Sequence, residues 1–158
     1  MKRSIVLCAL LFPLAAGAGL EEGTAAYAAG DYATALAEFR TLADQGNMEG
    51  QYFLGFMYHN GFGIKRDQAE ALKWFQKAAQ QGDARAQYYV GIMYGAGHGV
   101  TKDLKLADMW LTLSAANPKS SYRDSLYTRE EIGKIERKMT PEQIAEAKEL
   151  AKNWKPQN

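Results

Sequence analysis

Residues 46–81 read GNMEGQYFLGFMYHNGFGIKRDQAEALKWFQKAAQQ, and residues 82–117 follow as GDARAQYYVGIMYGAGHGVTKDLKLADMWLTLSAAN. Laid over each other without a gap, the two blocks are identical at twelve of 36 positions. Tyr52 meets Tyr88, Gly55 meets Gly91, Tyr58 meets Tyr94, Asp67 meets Asp103 and Trp74 meets Trp110. Identity at this density over a fixed period marks an internal repeat, in which each copy is one supersecondary unit stacked on the next.

Each block has the grammar of two helices. Gly46-Asn47 and Gly82-Asp83 place a glycine after one helix and a capping residue before the next. This predicts first helices over 48–59 and 84–95. Gly61 with Gly63, and Gly97 with Gly99, permit positive φ in the turn that follows. Asp67 then caps a second helix over 68–80, with Glu70 placed to close a capping box. Asp103 repeats the cap for a helix over 104–116, with Leu106 in place of the glutamate. Leu54, Gly55 and Tyr58 share one apolar stripe, and Ala71, Trp74, Phe75, Ala78 and Ala79 share another. One pair cannot cover these faces; stacking pairs buries them, which makes the fold class an all-α solenoid.

The flanks extend the pattern. Gly30-Asp31-Tyr32 to Gly46 matches the second-helix half, with Asp31 as cap, and Leu20 to Ala29 suits a first helix; the glycine turn between them is missing. After Asn117-Pro118 the repeat stops. Thr128-x-x-Glu131 is a candidate capping box, although helix can also begin near Tyr122. Thr140-Pro141-Glu142-Gln143 is a sharper start, with Ile144, Ala147, Leu150, Ala151 and Trp154 as an apolar stripe behind it. A solenoid needs a cap over its last repeat, and the C-terminal segment is assigned that role. The chain divides into a signal at 1–18, a short repeat at 19–45, full repeats at 46–81 and 82–117, and a helical cap at 118–158.

The signal rests on three regions in order: basic Met1-Lys2-Arg3, an uncharged run from Ser4 to Leu14, and small residues Ala15 to Gly19. Together they predict cleavage before Gly19 and a periplasmic or secreted product without membrane insertion. Cys8 lies inside the apolar run, behind Ile5-Val6-Leu7, and reads as one of its apolar residues. The 158 residues, 47% hydrophobic and 23% charged, suit one domain with a buried core. A net charge of +1 gives no general electrostatic reason to expect nucleic acid or an anionic membrane as partner. Loss of Lys2 and Arg3 turns it to −1, and loss of Cys8 leaves no thiol for a disulfide or a cysteine zinc site.

These residues resemble the Sel-like repeat family, a branch of the tetratricopeptide-like solenoids. The matching residues are Leu54-Gly55-x-x-Tyr58, Gly61-x-Gly63-Ile64, Asp67 and Ala71-x-x-Trp74-Phe75-x-x-Ala78-Ala79-x-x-Gly82. Ala86, Val90-Gly91-x-x-Tyr94, Gly97-x-Gly99-Val100, Asp103 and Ala107-x-x-Trp110 repeat them. Gly50 and Ser114 depart from the pattern, which has alanine at both places. The resemblance covers about 24–117, and Lys138 to Gln143 looks like the helical end of many exported members. It implies a right-handed α/α superhelix and a protein-binding adaptor, often in bacterial envelope signalling, cell-surface assembly or contact with a host. The expected state is a monomer or weak homo-oligomer. It also implies that the groove positions flanking the Leu-Gly pair bind the partner. In this chain those are Glu49, Tyr52, Phe53, Phe56, His59 and Asn60, then Arg85, Tyr88, Tyr89, Ile92 and Ala96. Aromatic side chains and Arg favour binding hot spots, while packing against neighbouring helices competes for the same aromatics.

Catalytic signatures are missing. Gly95-Ala96-Gly97-His98-Gly99 lacks the preceding strand that a dinucleotide site requires. His59 and His98 fall at unrelated repeat positions and form no paired metal motif. No serine has lysine three residues later, and Lys-Thr-Gly is absent, so the β-lactam-directed machinery is not spelled out. Glu130-Glu131 and Glu146-x-x-Glu149 sit among lysines, as on a solvated helix face. The expectation is a non-enzymatic scaffold without cofactor or metal, binding a protein or peptide. The alternative is an envelope hydrolase acting on peptidoglycan or β-lactams through an unidentified carboxylate pair.

Overall fold

A computed structural model describes residues 15–157. Residues 1–14, with Cys8 and most of the segment expected to be an export signal, lie outside the described residues; Ala15 to Ala18 open the first helix. Among the described residues the chain forms helices and turns without a strand. In order, they are α1 (Ala15–Ala29), α2 (Tyr32–Asp44), α3 (Met48–Asn60) and α4 (Gln68–Gln80). They continue with α5 (Ala84–Ala96), α6 (Leu104–Ala116), α7 (Tyr122–Glu136) and α8 (Pro141–Asn153). Each helix packs on the next as far as α7, and α6 also carries α8, so the pairs stack and the last two helices cover the final pair.

The helix starts follow the capping chemistry. Asn47 accepts from the Gly50 N–H, Asp83 from Arg85 and Ala86, Asp67 from Ala69 and Glu70, and Asp103 from Leu106. Thr140 and Gln143 close a full capping box ahead of α8, with Pro141 at the first position. Glu70 does not close the box expected of it: its carboxylate turns to Lys73, 3.2 Å away. Thr128 is not a cap either. Ser121 caps α7, and the Thr128 hydroxyl donates to the Asp124 carbonyl one turn back, 2.8 Å away.

Repetition of sequence becomes repetition of contacts. The Phe39 and Phe53 rings stack at 4.6 Å, and 36 residues on the Phe75 and Tyr89 rings stack at 4.7 Å. The buried Gln51 amide donates to the Ala43 carbonyl, and Gln87 donates to Ala79. Gln81 donates to the Gly46 carbonyl at 3.0 Å, and Asn117 donates to Gly82 at 2.9 Å, tying each unit's last residue to its first. Small residues set the spacing. A Cβ on Gly55 would lie 2.9 Å from Phe75 Cδ1, and one on Gly91 would lie 2.7 Å from Leu111 Cγ. Gly50, a departure from the family pattern, is forced: its Cβ would lie 2.5 Å from that of Leu42. Ser114, the other departure, donates to the Ala84 carbonyl at 2.8 Å.

Two apolar clusters join the units. Phe39, Leu42, Leu54 and Met57 centre the first, and Phe75, Val90, Met93 and Trp110 centre the second. Ala151 and Trp154 of α8 close over the second cluster, with the Trp154 and Trp110 rings edge to face at 6.0 Å. Ile135 of α7 packs on Ala107 and Leu111. Leu150, expected on the buried stripe of α8, is 46% exposed and does not contribute.

Candidate functional site

The first helices of the full repeats, α3 and α5, form one wall of a concavity of about 720 Å³. The α6–α7 loop and the start of α7 form the opposite wall. Glu49, Tyr52, Arg85, Tyr88 and Tyr89 line the first wall, so five of the eleven groove residues inferred from the repeat converge there. Ser114, Lys119, Ser121, Asp124, Tyr127 and Thr128 complete the enclosure.

Arg85 organises the near wall. Its guanidinium lies over the Tyr52 ring at 4.1 Å and reaches the Asp83 carboxylate at 2.6 Å and Glu49 at 3.9 Å. Asp83 is almost fully buried, and it caps α5 while pairing with Arg85. Capping thus fixes the carboxylate, and the carboxylate fixes the arginine. Burial raises the phenol pKa of Tyr52, opposed in part by the Arg85 charge. Burial also raises those of Tyr88 and Tyr89. All three therefore remain neutral, hydrogen-bonding phenols at physiological pH.

The other six inferred residues lie outside the concavity: Asn60 and Ala96 are the exposed last residues of α3 and α5, and the remaining four serve packing. Phe53 stacks on Phe39. Phe56 meets Tyr27, Phe62 and Tyr89 at about 6 Å. His59 meets the Tyr89 ring edge to face at 5.5 Å, and burial holds its pKa below the ordinary value. Ile92 packs beneath α7 with Ala107, Leu111 and Ile135. Tyr89 does both jobs, stacking on Phe75 while lining the concavity.

The far wall escaped sequence reasoning. Tyr127 is 61% exposed and Asp124 sits on the first turn of α7, but neither belongs to a repeat. The available signal was Ser121-x-x-Asp124: the Ser121 hydroxyl donates to Asp124 at 2.6 Å and caps α7, fixing that turn.

The carboxylates weighed for catalysis pair with lysines. Glu130 and Glu131 hold Lys134 at 2.9 and 2.7 Å, Glu146 holds Lys105 at 2.8 Å, and Glu149 holds Lys152 at 3.4 Å. Among the described residues no group of three or more His, Cys, Asp or Glu is placed to hold a metal. Among them, too, no helix is long and apolar enough to cross a membrane.

Stacked helix pairs, a capped end and a lateral concavity define an α/α solenoid, a class that uses its concave surface for binding. The particular family follows from the repeats: the Sel1 repeat model matches residues 49–83 and 84–118, so this chain carries two Sel1 repeats. Its fold is similar to the crystal structure of c5321, a protective antigen of uropathogenic Escherichia coli strains displaying an SLR fold. That likeness has a TM-score of 0.80 at 29% identity and covers 88% of this chain and 29% of c5321. A Sel1 repeat protein from Oxalobacter formigenes shares the fold with a TM-score of 0.64 at 24% identity, over 89% of this chain and 56% of that one. The chain therefore spans under a third of the first structure and just over half of the second. No curated protein matches it. Sel1-repeat proteins generally mediate protein–protein interaction, and their solenoid is typically a non-catalytic scaffold.

Proposed function

We propose that this chain is an exported, non-enzymatic adaptor of the bacterial envelope that holds a protein or peptide segment in the α3–α5–α7 concavity. One observation carries the proposal. Tyr52, Tyr88, Tyr89 and Tyr127, from separate repeats and the cap, face a common space large enough for a short peptide stretch. Tyrosine supplies rigid, amphipathic contact area at low entropic cost, which suits a binding surface. The N-terminal signal supports export, and cleavage before Gly19 would leave the packed part of α1 intact. Gly19 and Gly23 lie against α2, where a Cβ on Gly23 would meet Phe39 at 2.7 Å.

Site-specific photocrosslinking tests the binding site. A benzophenone amino acid at Tyr127 should yield a discrete adduct in the native cell, and the same group at Lys73, outside the concavity, should not. Equal adduct patterns from both sites would reject the concavity. N-terminal sequencing of protein released by osmotic shock tests export: the expected first residue is Gly19, and an intact Met1 would refute it.

A further inference from the structure

We propose that the concavity selects a cationic segment, an extended peptide that presents an Arg or Lys side chain to its tyrosines. The inference rests on the adaptor proposal and names the chemistry of the partner. Its basis is which hydrogen-bonding groups of the wall are already engaged.

The side-chain donors of the wall are largely turned inward. Arg85 gives Nε and Nη2 to Asp83, at 3.2 and 2.6 Å. Ser114 donates to the Ala84 carbonyl, Ser120 to the Ser114 carbonyl, Ser121 to Asp124, and Thr128 to the Asp124 carbonyl, all within 2.9 Å. Two helix N-termini open onto the space, and their caps occupy first-turn N–H groups. Asp83 takes those of Arg85 and Ala86, and Ser121 takes that of Asp124. An anionic segment would therefore find most of these donors spent, with Lys119 and the tyrosine hydroxyls left to it, and its charge would face three carboxylates against two cations, Arg85 and Lys119.

What the wall still offers is acceptors and ring faces. Among the described residues Asp124 has no cationic partner, and Glu49 reaches Arg85 only at 3.9 Å, with its side chain 44% exposed. Tyr127 is largely exposed and Tyr88 half-buried. The site already contains the interaction inferred for the partner, because Arg85 lies over the Tyr52 ring at 4.1 Å with carboxylates at its edge. A second cation between Tyr88, Tyr127 and Asp124 would repeat that arrangement, drawing on the ring quadrupole and on a carboxylate that has only the Ser121 hydroxyl as partner.

The test is selection from a phage-displayed library of random dodecamers on the purified protein, counter-selected on the Tyr88→Ala/Tyr127→Ala variant. Enriched peptides should share an Arg or Lys. Replacing that Arg by citrulline, which keeps the shape and removes the charge, should weaken binding to wild type about tenfold in fluorescence polarisation. Asp124→Asn should weaken it too and flatten its salt dependence. Tyrosine-dependent peptides that are acidic or neutral, or indifference to citrulline, would overturn the cationic preference and leave the adaptor proposal standing. Absence of any tyrosine-dependent binder would overturn both.

Discussion

Asp108 stands where Leu72 stands one repeat earlier, and both side chains are buried. Neither Asp108 carboxylate oxygen has a hydrogen-bond partner. The neighbouring charges are Glu136 of α7, which repels it, and Lys148 of α8, which is held by Glu136 at 2.9 Å. Burial first, and the Glu136 charge second, raise its pKa from 3.8 to about 6, against the pull of Lys148. A carboxyl raised in the folded state destabilises the fold once it must ionise. Its cost is absent below pH 3.8, grows as pH climbs towards 6, and is complete above that. The rise corresponds to about 3 kcal/mol at neutral pH. Asp108→Asn should therefore be more stable than wild type at pH 7.5, by about 1–2 kcal/mol because the amide is also left unpartnered. The gap should close on acidification to pH 4. Urea denaturation of both proteins across that range checks the sign, and a gap independent of pH would refute it.

At the scale of the element, the paired glycines of each turn do different work. Gly97 has φ near 77°, ends α5 and donates its N–H to Met93, but a Cβ there would meet only the Lys102 side chain at 3.4 Å and nearby backbone beyond it. Gly99 has φ near 71° and presses on the start of α4, where a Cβ would lie 2.5 Å from the Gln68 carbonyl carbon. Gly63 presses likewise on Tyr32. Gly97→Ala should cost about 1–2 kcal/mol, the penalty of the left-handed conformation. Gly99→Ala should cost more, because backbone of the preceding repeat must also move. Thermal denaturation of the two variants decides it, and equal losses would show that the second glycine is not a contact. The turns were legible in the sequence because the repeat prints them twice. The start of α7 was less so: Thr128 looks like a cap in sequence, but its hydroxyl bonds backwards inside a helix whose cap is Ser121. The same limit applied to the binding surface. Repeat register located Tyr52, Arg85 and Tyr88, whereas Asp124 and Tyr127 depend on where an aperiodic cap comes to rest.

Across the whole molecule, stability passes from neighbour to neighbour, so the end of the stack is its exposed point. The helix α6 carries Trp110, Leu111 and Asp108 towards the cap. Ala151 and Trp154 of α8 cover the cluster that contains Trp110. Beyond α8, the backbone N–H of Gln157 donates to the Gln80 carbonyl at 2.8 Å, strapping the tail to α4. A chain ending at Met139 would keep α7 but lose this cover. It should bind the dye ANS, melt about 5–10 °C lower and self-associate at micromolar concentration. Trp154→Ala should reproduce a smaller part of the melting loss while remaining monomeric. Light scattering and thermal melts distinguish these outcomes. A truncated chain that stays monomeric with an unchanged midpoint would show that α8 is an appendage and that the solenoid closes on α7 alone. Removal of α8 should also return water to Asp108, so the neutral-pH cost assigned to that carboxylate should shrink with the cap that covers it.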